Sequence, residues 1–504
     1  MPPKTWREKL KLVKDNITIE PMLICYVIPG TLARLSTQDL NLDKACRVNL
    51  DYNSTVCDAL MFQNGDLYKT EEQAIQQLVS SMEIWKNAIL LLIPSILLLF
   101  VGSWSDRTGR RKICILMPKV GELLMCLSNM LNVFYFFELP VQVTMFMEAI
   151  FPALTGSWVV GFMGIFSYIS DVTPPETRTF RMGVVSLCMT AGGPIGSALS
   201  GVLLKQIGYY GVFSICSIMY IIGLCYGVFY IKDPVVKNIK PKQIESDGIG
   251  KFFRDFFDLN HVKDTFNVII KKTADNRRWK FMLLFILIIF SYGPAFGEYV
   301  IRYLFTRYRF NWDVLKFSFY NTFYIVIHGI GALVSITLFS RRLKWHDSLL
   351  ALISAVSKIA GGTATGLSRT SVQMYIAVLI EIFNASTYTA LRSISSKLVN
   401  ADELGKLTSV FNLVETMTYM TFGPLYSWLY MESLTFDAGF VFYVSSILTL
   451  PVIIIHIYFL IKYKRELDKK QNEDKNIKIL SLNGIKFIDD DEILKAKNKI
   501  KMIS

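Results

Sequence analysis

Long apolar runs separated by short charged ones set the pattern of this chain. Runs at residues 19–36, 84–101, 113–137, 141–169, 182–204 and 211–231 precede a hydrophilic interruption at 232–279. Six more follow, at 280–305, 315–339, 348–367, 372–391, 407–430 and 440–461. Each is near the ~20 residues a helix needs to cross the hydrocarbon of a bilayer. Several are almost free of charge, as spanning helices are and core helices are not. The pattern predicts an all-α membrane protein with twelve transmembrane helices in two six-helix halves. Its parts are a tail at 1–18, an N-terminal half at 19–231, a linker at 232–279, a C-terminal half at 280–461 and a tail at 462–504. Residues 39–72 are the one sizeable loop expected on the outer side.

The polar segments orient these spans. Arg110 and Arg178 in the first half, and Arg341 and Lys397 in the second, sit in loops on one side, while the loops at 138–142 and 432–438 on the other side carry no basic residue. The positive-inside rule therefore predicts cytosolic N- and C-termini. Lys4, Arg7, Lys9, Lys11 and Lys14 agree, and no cleavage-site pattern follows them. Composition fits a multi-pass membrane protein: 504 residues, 52% hydrophobic, only 19% charged, with a mean hydropathy of +0.37. The net charge of +13 would suggest nucleic acid in a soluble protein. Here it crowds the cytosolic segments and points to the lipid bilayer as the partner, with no nucleic acid. In the linker, Phe252, Phe253, Phe256 and Phe257 suit an amphipathic piece on the membrane surface.

One loop is too charged to be a plain connector. Residues 102–112 hold Gly102, Asp106, Arg107, Gly109, Arg110, Arg111 and Lys112 between two apolar runs. The order G-x-x-x-D-R-x-G-R-R-K resembles the signature loop of major facilitator superfamily transporters, which implies the twelve-helix major facilitator fold. A basic loop alone explains residues 110–112 but not Asp106 or the two glycines. A second turn, Asp171 to Arg178 and Arg181, and its counterpart from Arg392 through Lys397 to Gly405, resemble the solute-carrier branch that contains the proton-coupled folate transporter, solute carrier family 46. So does Ala45-Cys46-Arg47-Val with Val56-Cys57. The resemblance spans residues 19–461 and implies an organic-anion transporter, often proton-coupled. The family's Glu in span five is Ser186 here and its span-seven His is Ala295, so coupling must use other groups.

All eight cysteines lie between Cys25 and Cys225, mostly in apolar runs as small packing residues. Cys46 and Cys57 instead share the outer loop with the sequon at Asn53, a glycosylation candidate. In an oxidising compartment these two are candidates for a local disulfide or remain free thiols.

No enzyme constellation is present. The four histidines lack metal-ligand spacing and no phosphate-cradling glycine loop occurs, so no cofactor, metal or ATP-driven step is expected. Charges inside spans carry the chemistry, because each must face protein or a water-filled path. Glu381, Asn384 and Tyr388 share one helical face in span ten, and Glu415, Thr416 and Tyr419 form a polar stripe in span eleven. Glu298 and Arg302 form an i,i+4 pair that is either a structural salt bridge or a ligand contact. His328 is either a packed neutral imidazole or a protonation switch. Glu122, Glu148 and Lys358 are either bundle-facing pairs or snorkelling residues. The glycines and Pro194 of span five serve close packing in preference to a hinge.

The sequence therefore reads as a secondary-active transporter working by alternating access. A small organic anion is expected at midplane near Arg34, Trp158, Glu381 and Tyr388, with Arg392 toward the cytosolic mouth. Glu381, Glu415 and His328 are the proton candidates, and the unit is expected to work as a monomer. Asp106 is expected to face the start of span eleven near Gly405, with Arg110 reaching Asp171, as a cytosolic latch. A non-transporting receptor or scaffold on the same bundle is the alternative. The compartment is the plasma membrane or an endolysosomal membrane. Residues 489–494 resemble an acidic dileucine sorting signal or are a solvated acidic segment.

Overall fold

The computed structural model describes residues 18–61, 65–173, 175–233, 277–343, 345–397 and 404–482. The linker phenylalanines, Asp402, Glu403 and the 489–494 segment lie outside them. The described residues are helices joined by turns. Eight helices among them are long and apolar enough to cross a membrane, and the molecule is a multi-pass membrane protein.

Helix α1, Glu20–Lys44, starts where the Glu20 carboxylate accepts the backbone N–H groups of Thr18 and Ile19 at 2.7 and 2.9 Å. It runs well past residue 36, through Asp39, Asn41 and Lys44, and continues as a π-turn, Ala45–Asn49. These polar residues read as loop, yet each finds a partner inside the bundle. The Lys44 ammonium, for example, donates to the Asn132 carbonyl at 3.1 Å and to Thr144 at 3.3 Å. Helix α2, Ser54–Met61, follows, and Cys46 and Cys57 are joined in a disulfide beside it. The expected loop at 39–72 is thus largely helical.

Helix α3, Lys69–Thr108, extends far beyond the apolar run at 84–101. Gly109 ends it at φ 69°, a left-handed conformation costly for residues with a Cβ, and returns its N–H to the Ser105 carbonyl at 2.9 Å. The second signature glycine is therefore a helix stop. Helix α4 is Arg111–Phe134. The run at 141–169 is two helices, α5 (Val141–Leu154) and α6 (Ser157–Val172), broken at Gly156 with φ 88°. Helix α7, Pro175–Tyr230, turns at Gly208.

After the linker come α8 (Arg277–Phe310) and α9 (Val314–Val334), the latter capped by Asp313 accepting the Lys316 N–H at 2.9 Å. Next are α10 (Asp347–Leu367), α11 (Ser371–Ile380), α12 (Ser386–Lys397), α13 (Leu404–Ser433) and α14 (Phe440–Leu482). The run at 372–391 is not one helix. It breaks at 381–385, so Glu381 caps α11 instead of sitting within a continuous span.

Helices α1 and α7 pack together, as do α10 with α14 and α8 with α13. The pairs α3–α13 and α7–α9 join the helices before the linker to those after it. In α7, small residues permit this approach: a Cβ at Gly201 would lie 2.6 Å from the Leu315 Cα. Leu127, Leu131 and Phe134 of α4 and Ile218, Ile221 and Ile222 of α7 point outward, as lipid-facing residues do.

Candidate functional site

At the end of the bundle that carries the disulfide, polar contacts tie the N-terminal helices to the C-terminal ones. Arg307 of α8 donates to Asp39 of α1 at 3.3 Å and to Glu72 of α3 at 3.1 Å, with all three side chains buried. Asp39 also accepts from Tyr303 at 2.8 Å and from Tyr209 at 2.9 Å. Gln76 donates to the Leu304 carbonyl at 3.1 Å and accepts from Tyr430 at 2.7 Å. Such a network closes that end, because opening it would strand buried charges.

Beneath this seal is a cavity of about 530 Å³ lined by α1, α3–α7, α8 and α13, a volume that suits a small organic molecule. One wall is polar. Lys86 is paired with Glu83 and lies 3.2 Å from Glu148; Asn87 supports Glu83 at 3.1 Å and Asn41 supports Glu148 at 3.1 Å. Arg34 and Glu122 also face the space. The Arg34 guanidinium lies 3.8 Å from the Tyr299 ring centre and has no hydrogen-bond partner among the described residues. The opposite wall is aromatic: Trp158 packs on Phe162 at 5.8 Å and on Tyr419 at 6.4 Å, and Tyr419 stacks on Phe296 at 4.6 Å. An unpaired planar cation beside ring faces can hold a carboxylate or sulfate while the rings hold an apolar body.

A second ionic cluster adjoins this cavity without lining it: its Arg302 lines a smaller pocket that shares Arg34, Gln38 and Tyr299 with the cavity. Lys358 bridges Glu298 at 2.5 Å and Glu381 at 3.0 Å, Arg302 lies 3.3 Å from Glu298, and Asn384 donates to Glu381 at 2.7 Å. The Glu298–Arg302 pair is thus part of a four-charge cluster, buried and balanced. Glu381 belongs to it and does not line the cavity with Arg34 and Trp158. Tyr388 is also away from the cavity, stacked on Tyr292 at 4.4 Å. His328 packs on Tyr324 at 4.0 Å with its Nε2 unpartnered among the described residues. Arg392 is exposed and lies 3.3 Å from Glu415, which also accepts from Tyr419 at 2.7 Å.

At the Gly109 end, Arg111 and not Arg110 reaches Asp171, at 2.8 Å, and it also donates to Ser105 at 3.0 Å. Arg110 precedes α4 and points to solvent, while Arg111 opens the helix and faces α6. Arg181 bonds Thr18 at 2.7 Å and lies 3.8 Å from Glu20. Gly102 sits within α3 with open space beside it. The side chains of Asp106, Arg107 and Arg178, and the surroundings of Gly405, lie outside the described residues. Asn53 is exposed, just before α2.

Sequence reasoning missed Glu83, Lys86, Asp39, Glu72 and Arg307. All lie outside or at the edges of the apolar runs, where hydropathy assigns loops. The i,i+3 and i,i+4 spacing of Glu83, Lys86 and Asn87 was the available signal, a polar stripe on one helical face.

The family model for the Major Facilitator Superfamily matches residues 77–420. The chain is 23% identical over 451 residues to the lysosomal proton-coupled steroid conjugate and bile acid symporter SLC46A3 of Gallus gallus, covering 87% of this chain and 92% of that protein. It is 26% identical over 406 residues to solute carrier family 46 member 2 of Mus musculus, covering 78% and 82%. Among solved structures, a POT family transporter in complex with a thioalcohol-conjugated peptide is similar in fold, with a TM-score of 0.53 at 14% identity, covering 87% of this chain and 96% of that one.

Proposed function

The chain belongs to the Major Facilitator Superfamily, and on that premise we propose that it moves a small organic anion with an apolar body by alternating access. It is a membrane transporter resembling solute carrier family 46, not an enzyme. The observation that carries the substrate class is Arg34: a guanidinium with no protein partner among the described residues, stacked on Tyr299 in an aromatic-lined cavity. The substrates of the Gallus gallus relative, steroid conjugates and bile acids, are amphipathic anions of this chemistry.

In this reading twelve helices form two six-helix halves, at 19–231 and 280–461, with both termini in the cytosol and the protein working as a monomer. The disulfide loop with Asn53 then lies outside or in a lumen, where the sequon can be glycosylated. The sealed end is the outer one, and the conformation described faces inward. Asp106, Arg107 and the 171–181 turn with Arg178 and Arg181 act with the Gly405 end of α13 as the inner latch, and Arg392 guides the departing anion. We read the Glu298–Arg302–Lys358–Glu381 cluster as structural; its mutual pairing supports this, because removing one member would leave a buried charge uncompensated.

The test is uptake of folates, bile-acid anions and muropeptides by cells with the protein at their surface, at acidic and neutral outside pH. Uptake of a bile-acid anion by the native protein, lost in Arg34→Ala at equal surface abundance, supports the reading. Equal uptake by both proteins removes Arg34 as the anchor, and no uptake of any probe favours a receptor or scaffold.

A further inference from the structure

The cavity wall holds two cations, Arg34 and Lys86, against three carboxylates, Glu83, Glu122 and Glu148. Lys86 is bonded to both Glu83 and Glu148, and each of these has an amide donor besides. Arg34 is the anion's anchor in the proposed function, and the role assigned here to Glu122 rests on that anchor. Glu122 projects from α4 into the cavity, half-buried, and has neither a hydrogen bond nor an ion pair among the described residues.

The groups around it offer no dedicated counter-ion. On its own helix, Lys119 donates to the Ile115 carbonyl at 3.1 Å and lies 4.8 Å from the Tyr26 ring centre, and Cys126 is uncharged. Helix α1 presents Tyr26 and Arg34; α3 presents Glu83 and Lys86; α5 presents Glu148; and α7 presents Tyr220. Helix α6 lines the space with Ser157, Trp158 and Phe162, while Tyr299 of α8 and Tyr419 of α13 face it from across. The cations among these are Arg34, Lys86 and Lys119. Two are bonded elsewhere, and the third is open to substrate.

We propose that Glu122 takes up the coupling proton. An anion entering beside Arg34 meets one uncompensated carboxylate. A proton on a Glu122 Oε removes that repulsion, and by linkage the bound anion raises the affinity of Glu122 for the proton equally. The proton arrives from the acidic side with the anion and leaves from Glu122 on the other side. No covalent bond other than O–H forms or breaks. One proton per monovalent anion leaves the charge of the loaded cavity equal to that of the empty one, so the cycle is electroneutral. Ser186 and Ala295 carry no titratable group, and Glu122 supplies one in the cavity itself.

The experiment uses the full chain in lipid vesicles with a labelled bile-acid anion. Exchange by the native protein at matched pH is the first arm; if there is none, the anion reading falls and this proposal with it. Where exchange occurs, one-to-one coupling predicts about tenfold accumulation per pH unit of imposed gradient. In Glu122→Gln, accumulation falls to about one, while the exchange that persists no longer responds to pH. Glu122→Asp restores the gradient-driven accumulation. Native-like accumulation in Glu122→Gln overturns the proposal. So does loss of all exchange in Glu122→Gln at normal protein content, which would place Glu122 in anion binding or folding.

Discussion

Arg34 stacks on Tyr299 with no carboxylate bonded to it among the described residues, whereas Arg307 is held between Asp39 and Glu72. The same functional group is thus free at one site and committed at the other, and that difference supports the proposed anchor role of Arg34 over a clasp like that of Arg307. Arg34→Lys keeps the charge but loses the planar fork and the stacking. It should raise the apparent KM for the anion roughly tenfold, the equivalent of about 1.4 kcal/mol, with a smaller change in maximal rate. Arg34→Ala should lower uptake much further. Concentration-dependent uptake at equal surface abundance measures both. Residues within the apolar runs were legible in the sequence because a charge there stands out, as with Arg34, Glu122, Glu148 and Glu381. Their partners were not legible. Nothing in spacing joins Glu298 to Lys358, which are brought together only when α8 and α10 meet in the bundle.

At the scale of elements, hydropathy located long helices and misjudged their ends. Helices α1 and α3 carry polar residues well past the apolar windows because other helices satisfy them, as Tyr303 and Tyr209 do Asp39. Those extensions hold the clasp, so the clasp was invisible to a window count. The breaks at Gly156 and at 381–385 were also missed, since both lie inside continuous apolar runs. Gly156 has φ 88°, and a Cβ there would lie 2.7 Å from the Val160 Cβ. Gly156→Ala should destabilise the protein by about 1–3 kcal/mol through backbone strain. Gly329, with open space beside it in α9, should accept Ala with no loss and a gain of up to ~1 kcal/mol in helix propensity. Thermal unfolding in detergent, with the two variants side by side, checks the contrast.

For the whole molecule, the described contacts close the disulfide end around Arg307 while the cavity lies beneath. The proposed alternating-access cycle requires this clasp to open when the proposed latch at the Gly109 end closes. Arg307→Ala removes the clasp and leaves buried Asp39 and Glu72 uncompensated, an expected destabilisation of the closed disulfide end by about 3–5 kcal/mol. Asp106→Ala should weaken the latch proposed at the Gly109 end. The two should shift the conformational equilibrium in opposite directions, which membrane-impermeant thiol probes at cysteines placed on each side would read as opposite changes in labelling rate. The most direct test of transport itself is counterflow. Vesicles containing the purified chain are loaded with an unlabelled bile-acid anion and diluted into a trace of the labelled one at equal pH on both sides. A transient overshoot of label inside, absent from protein-free vesicles and abolished by Arg34→Ala, is the expected result. Label that never rises above the protein-free level across a panel of amphipathic anions would contradict anion transport through this cavity.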